Sequence, residues 1–513
     1  MQKISFLIEG VLLRFFGATH LIGMMRGLKD MQDVIVIGCG IVGAAAAYEL
    51  SRYNLRVLVV EQENDVGAGT TKANSAIIHA GYDPEPGTLM AKLNVQGAKL
   101  AKELFEKLDI PHKQCGALVL AFSDTQAKTL DHLLQNGRAN GVPGLEILTG
   151  EQALALEPQL SDRVCAALHL PTTMIVSPWE YALALAETAV KNGVRLELEC
   201  RVEGIEKSAE GYRVSTSRGV FEGRYILNAA GLCADQIHNM VAPPAFEILP
   251  DRGEYYLLDK SEGDRVGRVI FQCPTDRGKG VLVAPTVHGN LIVGPTSGAV
   301  DRQSDLANTA NGLAYVKNTA RKSVPGVDFR ANIRNFAGNR AKSDQDDFIV
   351  AEAEGAKGFI DIAGIKSPGL SAAPAIAKMA VGLLFESGLV ADEKESFQDR
   401  RERLRFAELS PDEKAAVIAR RPAYGRVICR CVTITEGEIL DALEAPIPPR
   451  SLDAVKRRCG PGMGRCQGGF CGPRVLEILA KHFGQSPVEV LQGEPGSYIL
   501  TSETKSAQCQ EGD

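Results

Sequence analysis

From residue 31 the chain reads MQDVIVIGCGIVGAAAAYELSRYNLRVLVVEQ, and its apolar positions fall in unbroken runs. Val34 to Ile37 is apolar throughout and rich in β-branched residues, the pattern of a parallel strand covered on both faces. The alanine-rich stretch from Ile41 to Leu50 predicts a helix. LRVLVV then predicts a second buried strand ending at Glu61. Strand, helix and strand in that order predict a βαβ unit in an α/β protein. Further along, GEYYLLD (253–259), GVLVAPT (280–286) and NLIVGPT (290–296) read as strands of another sheet, with HGN a tight turn between the last two. Residues 392–425 are charged and predict a mostly helical, solvated linker. The tail after about residue 495 is polar and is expected to be mobile.

The turn between the first strand and its helix holds Gly38, Gly40 and Gly43 in a G-x-G-x-x-G pattern. The first glycine permits the tight turn, the second lets a pyrophosphate approach the backbone, and the third lets helix and strand pack closely. The helix N-terminus would face the phosphates. Glu61 would accept hydrogen bonds from ribose hydroxyls and repel a 2′-phosphate. The motif is weak alone; set between strand and helix, with the acid in place, it points to dinucleotide binding.

Composition adds bounds. A chain of 513 residues suggests about three structural units. Apolar residues make up 45% and charged ones 23%, an ordinary globular balance. A net charge of -6 leaves no basic footprint for nucleic acid. The apolar stretch within residues 1–30 is interrupted by Glu9 and Arg14. A charge in mid-helix costs about 2.5–3.5 kcal/mol on insertion scales, which argues against an integral membrane span. There is no small-residue cleavage site either. Residues 1–30 are therefore read as an extension outside the fold, and the protein as cytoplasmic.

Several stretches together resemble the D-amino-acid-oxidase-like, FAD-dependent oxidoreductases. They are GTTKANSAIIHAGYDPEPGTLMAKL, LECRVEGIEK, GRYILNAAGLCAD, FAGNRAKSDQDDFIV and AGIKSPGLSAAPAIAKMAVGLL, in the family's order. The resemblance implies a Rossmann-like FAD-binding domain spanning 31–395. It also implies an antiparallel-sheet substrate domain built from about 116–175 and 245–335. By the same resemblance Thr71, Asn74 and Ser75 wrap the flavin, and Val202 meets the adenine through its backbone. Ala230 and Gly231 return to the dinucleotide, and Gly369 and Leu370 open the closing helix beside the flavin.

Of 12 cysteines, those at 429, 431, 459, 466 and 471 crowd together. With no secretory signal, disulfides are disfavoured and thiolates converging on a metal are the better reading. The pairs are C-x-C and C-x₄-C, whereas zinc ribbons use C-x-x-C knuckles. An iron–sulfur cluster is favoured, with structural zinc the alternative. Glycines around the cysteines would let backbone N–H groups reach the sulfurs, and Lys456, Arg457, Arg458, Arg465 and Arg474 would offset cluster charge. ICRCVTITEGEIL…VKRRCGPGMGRCQGGFCGP resembles the bacterioferritin-associated-ferredoxin type of [2Fe–2S] domain. The resemblance implies a small α-rich domain over 426–495, after a linker over 396–425, and the ligands Cys429, Cys431, Cys466 and Cys471. Cys459 would be a spare.

A FAD domain followed by this cluster domain resembles the anaerobic glycerol-3-phosphate dehydrogenase family. NSAIIHAGYDPEPGTLMAKL is closer to the L-2-hydroxyglutarate dehydrogenase family, and FAGNR departs from the first family's pattern. The implied reaction is oxidation of a small anionic hydroxy substrate, glycerol 3-phosphate first and a 2-hydroxy acid second. Electrons would leave through the cluster to a partner redox subunit, a quinone or another acceptor, and a partner could hold the chain at the inner face of a membrane. A flavoprotein without its own substrate is the alternative of another class. His79 is the candidate general base, since imidazole titrates near working pH; a histidine that only holds the flavin or its turn is the other reading. Arg340 is the candidate for the substrate's anionic end, because its guanidinium fork matches phosphate or carboxylate. An ion pair with Asp344, Asp346 or Asp347 is its alternative. Tyr255 and Lys366 are weaker candidates. Gly40→Asp is expected to abolish FAD retention by placing a side chain and a negative charge in the pyrophosphate's path; a full flavin complement in the purified variant would show that the phosphates bind elsewhere.

Overall fold

The structure, a computed structural model, describes residues 31–274 and 280–503. The expected extension 1–30 and the chain past 503 lie outside the described residues.

β1 (Gln32–Ile37), α1 (Ile41–Leu50) and β2 (Val57–Val60) form the anticipated βαβ unit. The strands pair in parallel from Val34 opposite Val57 to Ile37 opposite Val60, and every residue of those two runs is buried. Their apolar runs lack alternation because helices and loops cover both faces of the sheet. Gly219–Asn228 lies parallel on the other side of β1, Phe359–Ala363 lies beyond its C-terminal half, and Arg195–Glu197 lies beyond β2. The closing helix Gly369–Glu386 packs on α1 and on Leu89–Lys107. Among the described residues it is the one helix long and apolar enough to cross a membrane, and 61% of it is buried inside the protein.

The second sheet has nine strands drawn from two separate stretches of chain. Ile248–Leu258 pairs antiparallel with Asn332–Ser343 along its whole length, from Ile248 opposite Ser343 to Leu258 opposite Asn332. Leu282–Pro285 and Leu291–Gly294 pair as the expected hairpin, with Gly289 at φ +80 in the turn. One contact departs from the antiparallel expectation: Val269–Gln272 runs parallel to Ala117–Ala121. These strands belong to different excursions of the chain, so no hairpin fixes their relative direction. The turn Thr70–Lys72 meets the second sheet where Thr70 Oγ1 donates to Asn339 O at 2.7 Å.

The charged segment between the domains differs from the helical, solvated linker expected of it. Residues 398–405 have no regular structure, and a helix forms only over Pro411–Arg420, started by a capping box of Ser410 and Glu413. In the extended part Arg401, Arg403 and Arg405 project to one side, as alternate residues of an extended chain do. They pair with Glu187 at 2.9 Å, Glu180 at 2.9 Å and Asp109 at 2.6 Å. The arginine at every second position was the overlooked signal.

The C-terminal unit is a short hairpin, Val427–Cys429 with Ile434–Thr435, and the helices Glu436–Leu443, Leu452–Cys459 and Gly472–Phe483. They close around buried Ile439, Val455, Leu479 and Val490. The first residues of the tail make contacts with the cluster domain: Gln492 N donates to Ser497 O at 2.8 Å, and Leu491 bridges Tyr498. Arg403→Met leaves the carboxylate of Glu180, whose side chain is 7% exposed, without its guanidinium. It should cost about 3 kcal/mol in chemical denaturation, with much of the loss recovered when Glu180→Gln is added; an unchanged midpoint would show that the linker is not pinned there.

Candidate functional site

A cavity of about 740 Å³ is walled by both sheets. At one end lies the glycine turn, and its three glycines answer three different needs. Gly38 sits at φ +95, and a Cβ there would come 2.5 Å from Ala229 O. A Cβ on Gly43, which does not line the cavity, would lie 2.0 Å from Gly38 O, so this glycine serves packing. A Cβ on Gly40 would meet only Thr71 Oγ1, at 3.3 Å, and would otherwise project into the cavity. α1 has no side-chain cap. Thr71 Oγ1 accepts the N–H of Ile41 at 3.0 Å, and the other free N–H groups of a first helical turn suit a pyrophosphate.

Glu61 is almost buried and accepts the N–H groups of Cys39 at 2.6 Å and Glu63 at 2.9 Å. Burial nonetheless pushes its carboxyl up to about 7. Val202, Ala230 and Gly231 line the same end of the cavity, Gly231 at φ +59. Asn74 shapes the loop around it: Oδ1 accepts the N–H of Ala76 and Nδ2 donates to Thr71 O, both at 2.8 Å, which holds Ala76 at φ +59. Gly369 and Leu370, at the start of the closing helix, complete the wall. The cradle that a Gly40 side chain would fill, the uncapped helix and the acid at the strand end fit a bound dinucleotide.

The other end of the cavity gathers the candidates for chemistry. His79 N donates to Ser371 Oγ at 2.8 Å, Ser367 Oγ lies 3.4 Å from its Nε2, and its ring stacks on Phe271 with centroids 5.7 Å apart. Tyr255 is buried, shares a hydrogen bond with Ser75 Oγ at 3.1 Å, and stacks on Phe336. Arg340 and Lys366 line the same space. Arg340 does form an ion pair, with a partner the sequence did not suggest. Its Nη1 meets Asp251 Oδ2 at 2.7 Å and its Nη2 donates to Thr296 O at 3.2 Å. Asp251 is its cross-strand neighbour, whereas Asp347 accepts the N–H groups of Leu89 and Met90 and Asp344 accepts that of Glu247. Ser367, Ser371, Phe271 and Asp251 were missed on sequence, because only strand register and the placement of the closing helix bring them in.

The four candidate thiols come as two pairs. Cys431 Sγ lies 3.6 Å from Cys466 Sγ. Cys471 hydrogen-bonds Cys429, which lowers the thiol of Cys429 and raises that of Cys471. Backbone N–H groups of Gly462 and Val432 point at Cys429, and those of Phe470 and Gly468 point at Cys466. Among the described residues no three Cys, His, Asp or Glu side chains gather tightly enough for one ion. Two thiol pairs with N–H donors fit a two-iron cluster better than a single zinc. Cys459 stands apart in the apolar core, where burial pushes its thiol up to about 12. The expected neighbouring cations mostly serve elsewhere. Arg457 and Arg458 bind Asp65, Arg474 pairs with Glu477, and Arg465 and Lys456 lie 3.8 Å from Asp259 and Asp453.

Two family models match the chain: "FAD dependent oxidoreductase" over residues 33–383 and "BFD-like [2Fe-2S] binding domain" over residues 427–481. A glycerol 3-phosphate dehydrogenase of Caloramator mitchellensis is 50% identical over 477 residues, 93% of this chain and 99% of that protein. The structure of dithionite-reduced L-α-glycerophosphate oxidase from Mycoplasma pneumoniae, with FAD bound, matches with a TM-score of 0.70 at 32% identity. That match covers 73% of this chain and 99% of that one. The mitochondrial L-2-hydroxyglutarate dehydrogenase of Arabidopsis thaliana is 29% identical over 403 residues, 68% of this chain and 83% of that protein.

If Glu61 meets the ribose as its position suggests, its raised carboxyl predicts pH-dependent cofactor binding. Ribose hydroxyls donate best to the ionised form, so FAD affinity should fall as pH drops through about 7, by no more than about tenfold per pH unit. Without FAD the same shift has the opposite sign: stability declines as pH rises from 4.5 to about 7, because the unfolded chain releases its proton earlier. Fluorescence titration of apoprotein with FAD between pH 5.5 and 8.5 should show the slope in wild type and a flat line in Glu61→Gln. Equal slopes would remove Glu61 from the ribose site.

Proposed function

This chain belongs to the FAD dependent oxidoreductase family and carries a BFD-like [2Fe-2S] binding domain, and on that footing we propose that it oxidises sn-glycerol 3-phosphate to dihydroxyacetone phosphate. The observation that carries the substrate is the end-to-end match, through both domains, to the glycerol 3-phosphate dehydrogenase of Caloramator mitchellensis. The L-2-hydroxyglutarate dehydrogenase match is lower in identity and covers less of the chain. An enzyme with its own substrate is therefore favoured over a carrier reduced by another protein.

FAD supplies the two-electron acceptor for hydride, and a [2Fe–2S] cluster on Cys429, Cys431, Cys466 and Cys471 supplies a one-electron acceptor. The protein's own groups bind and orient. Arg340 holds the phosphate with the N–H groups that Asp251 and Thr296 leave free, and Asp251 keeps the fork from swinging into solvent. His79, fixed through Ser371 and Phe271, takes the hydroxyl proton on Nε2 as hydride leaves the adjacent carbon. Tyr255 and Ser75 form a hydrogen-bonded pair on the cavity wall that would take a second substrate hydroxyl. Electrons then pass to an acceptor outside the chain, a partner subunit or a quinone, with the enzyme in the cytoplasm and any membrane contact made through that partner.

The test is anaerobic mixing of purified protein with glycerol 3-phosphate, L-2-hydroxyglutarate, lactate, proline and sarcosine, following flavin absorbance. Glycerol 3-phosphate should bleach the flavin fastest; bleaching by L-2-hydroxyglutarate alone would transfer the assignment. Arg340→Met should weaken glycerol 3-phosphate binding by about 2–5 kcal/mol while FAD content stays normal. Unchanged affinity in the bleaching titration would take Arg340 out of the site.

A further inference from the structure

The loop from Glu61 to Thr71 has two sides. Glu61, Gln62 and Glu63 at one end, and Gly69, Thr70 and Thr71 at the other, line the cofactor cavity. The middle of the loop turns its side chains into the cluster domain. Asn64 Nδ2 donates to Gly493 O at 2.6 Å. Asp65, 1% exposed, is gripped by Arg457 through Nη2 at 2.6 Å and Nε at 3.1 Å, and by Arg458 through Nη2 at 2.8 Å and Nη1 at 3.0 Å. Both arginines are themselves buried and stand on the helix Leu452–Cys459. Two residues beyond Asp65, Gly67 N donates to Cys39 O at 2.9 Å, inside the glycine turn that cradles the pyrophosphate. A continuous path of strong contacts thus runs from the cluster domain, through one carboxylate, to the turn and loop of the FAD site.

We infer that Asp65, Arg457 and Arg458 form an interdomain clamp through which the cluster domain positions the FAD-binding loop, so that a folded cluster domain tightens FAD binding. The three are positioning residues and touch no cofactor. Burial works against the charge on Asp65, and Arg458 and Arg457 together outweigh it. One anion between two forks fixes both the distance and the orientation of the two domains. By linkage, FAD must stabilise the docked cluster domain by the same factor that the docked domain tightens FAD.

The test measures the FAD dissociation constant of apoprotein by flavin fluorescence in wild type, in Asp65→Leu/Arg457→Met/Arg458→Leu, in Cys471→Ser, and in the combination. The triple substitution removes the clamp without leaving a buried charge unpaired. It should raise the dissociation constant at least about fivefold. Cys471→Ser, which costs the domain its metal and with it part of its fold, should do likewise, and the combination should be no weaker than either. Wild-type affinity in the triple variant, or effects that multiply in the combination, would overturn the clamp. If the triple variant does not fold, Asp65→Asn decides: it must also weaken FAD binding, and wild-type affinity there overturns the proposal. The Cys471→Ser arm rests on the proposed ligand set; if that variant keeps its iron, the ligand set is wrong, and the Asp65 variants still decide the clamp.

Discussion

At the turn between β1 and α1, backbones from distant parts of the chain meet with no side chain between them. A Cβ on Gly43 would lie 2.0 Å from Gly38 O, and one on Gly38 would lie 2.5 Å from Ala229 O. The strand Asn332–Ser343 makes a similar approach to the loop 70–76 at Gly338, where a Cβ would stand 2.1 Å from Ala73 O. A long, thin, charged cofactor needs such walls, because backbone N–H groups can surround a pyrophosphate only where side chains are missing. The parallel sheet, the loop 70–76 and the second sheet meet at these approaches. The cavity is what remains between them.

Features set by local chemistry were legible in the sequence. The unbroken apolar runs of β1 and β2, the glycine spacing and Glu61 each report one segment's own environment, and the structure has the runs as buried parallel strands, the glycines in the turn between β1 and α1, and Glu61 directly after β2. The hairpin through Gly289 was readable for the same reason. Features set by register or by long-range contact were not. Asp251 faces Arg340 because two long strands align from end to end, and no spacing in the sequence reveals that alignment. Ser371 reaches His79 only after the closing helix docks. The linker misled because its charge resembles that of a solvated helix, while its arginines at 401, 403 and 405 are paired one by one with buried or half-buried carboxylates.

The same distinction applies to the basic run before Cys459. Read along the chain, Arg457 and Arg458 sit beside a cluster and look like its counter-charges. In the fold they turn inward to Asp65 and bind the two redox domains together. The thiols of Cys429 and Cys466 instead receive backbone N–H groups from glycine-rich turns, donors that would stabilise negative sulfur without adding mobile charge. Glycine at 464 is required there, since a Cβ would lie 2.3 Å from that of Cys431. Cys431 is exposed while Cys429 and Cys471 are buried, so a cluster held by the proposed four thiolates would have one edge at the surface.

In the proposed reaction, substrate electrons enter at the flavin and leave through the cluster of the same chain. This route is tested most directly by titrating the anaerobically purified, iron-analysed protein with glycerol 3-phosphate while recording visible and electron-paramagnetic spectra together. The flavin should bleach and the signal of a reduced [2Fe–2S] cluster should grow in the same titration, with iron and no zinc in the protein. A flavin that glycerol 3-phosphate leaves oxidised, or one that bleaches while no cluster signal appears, would contradict it.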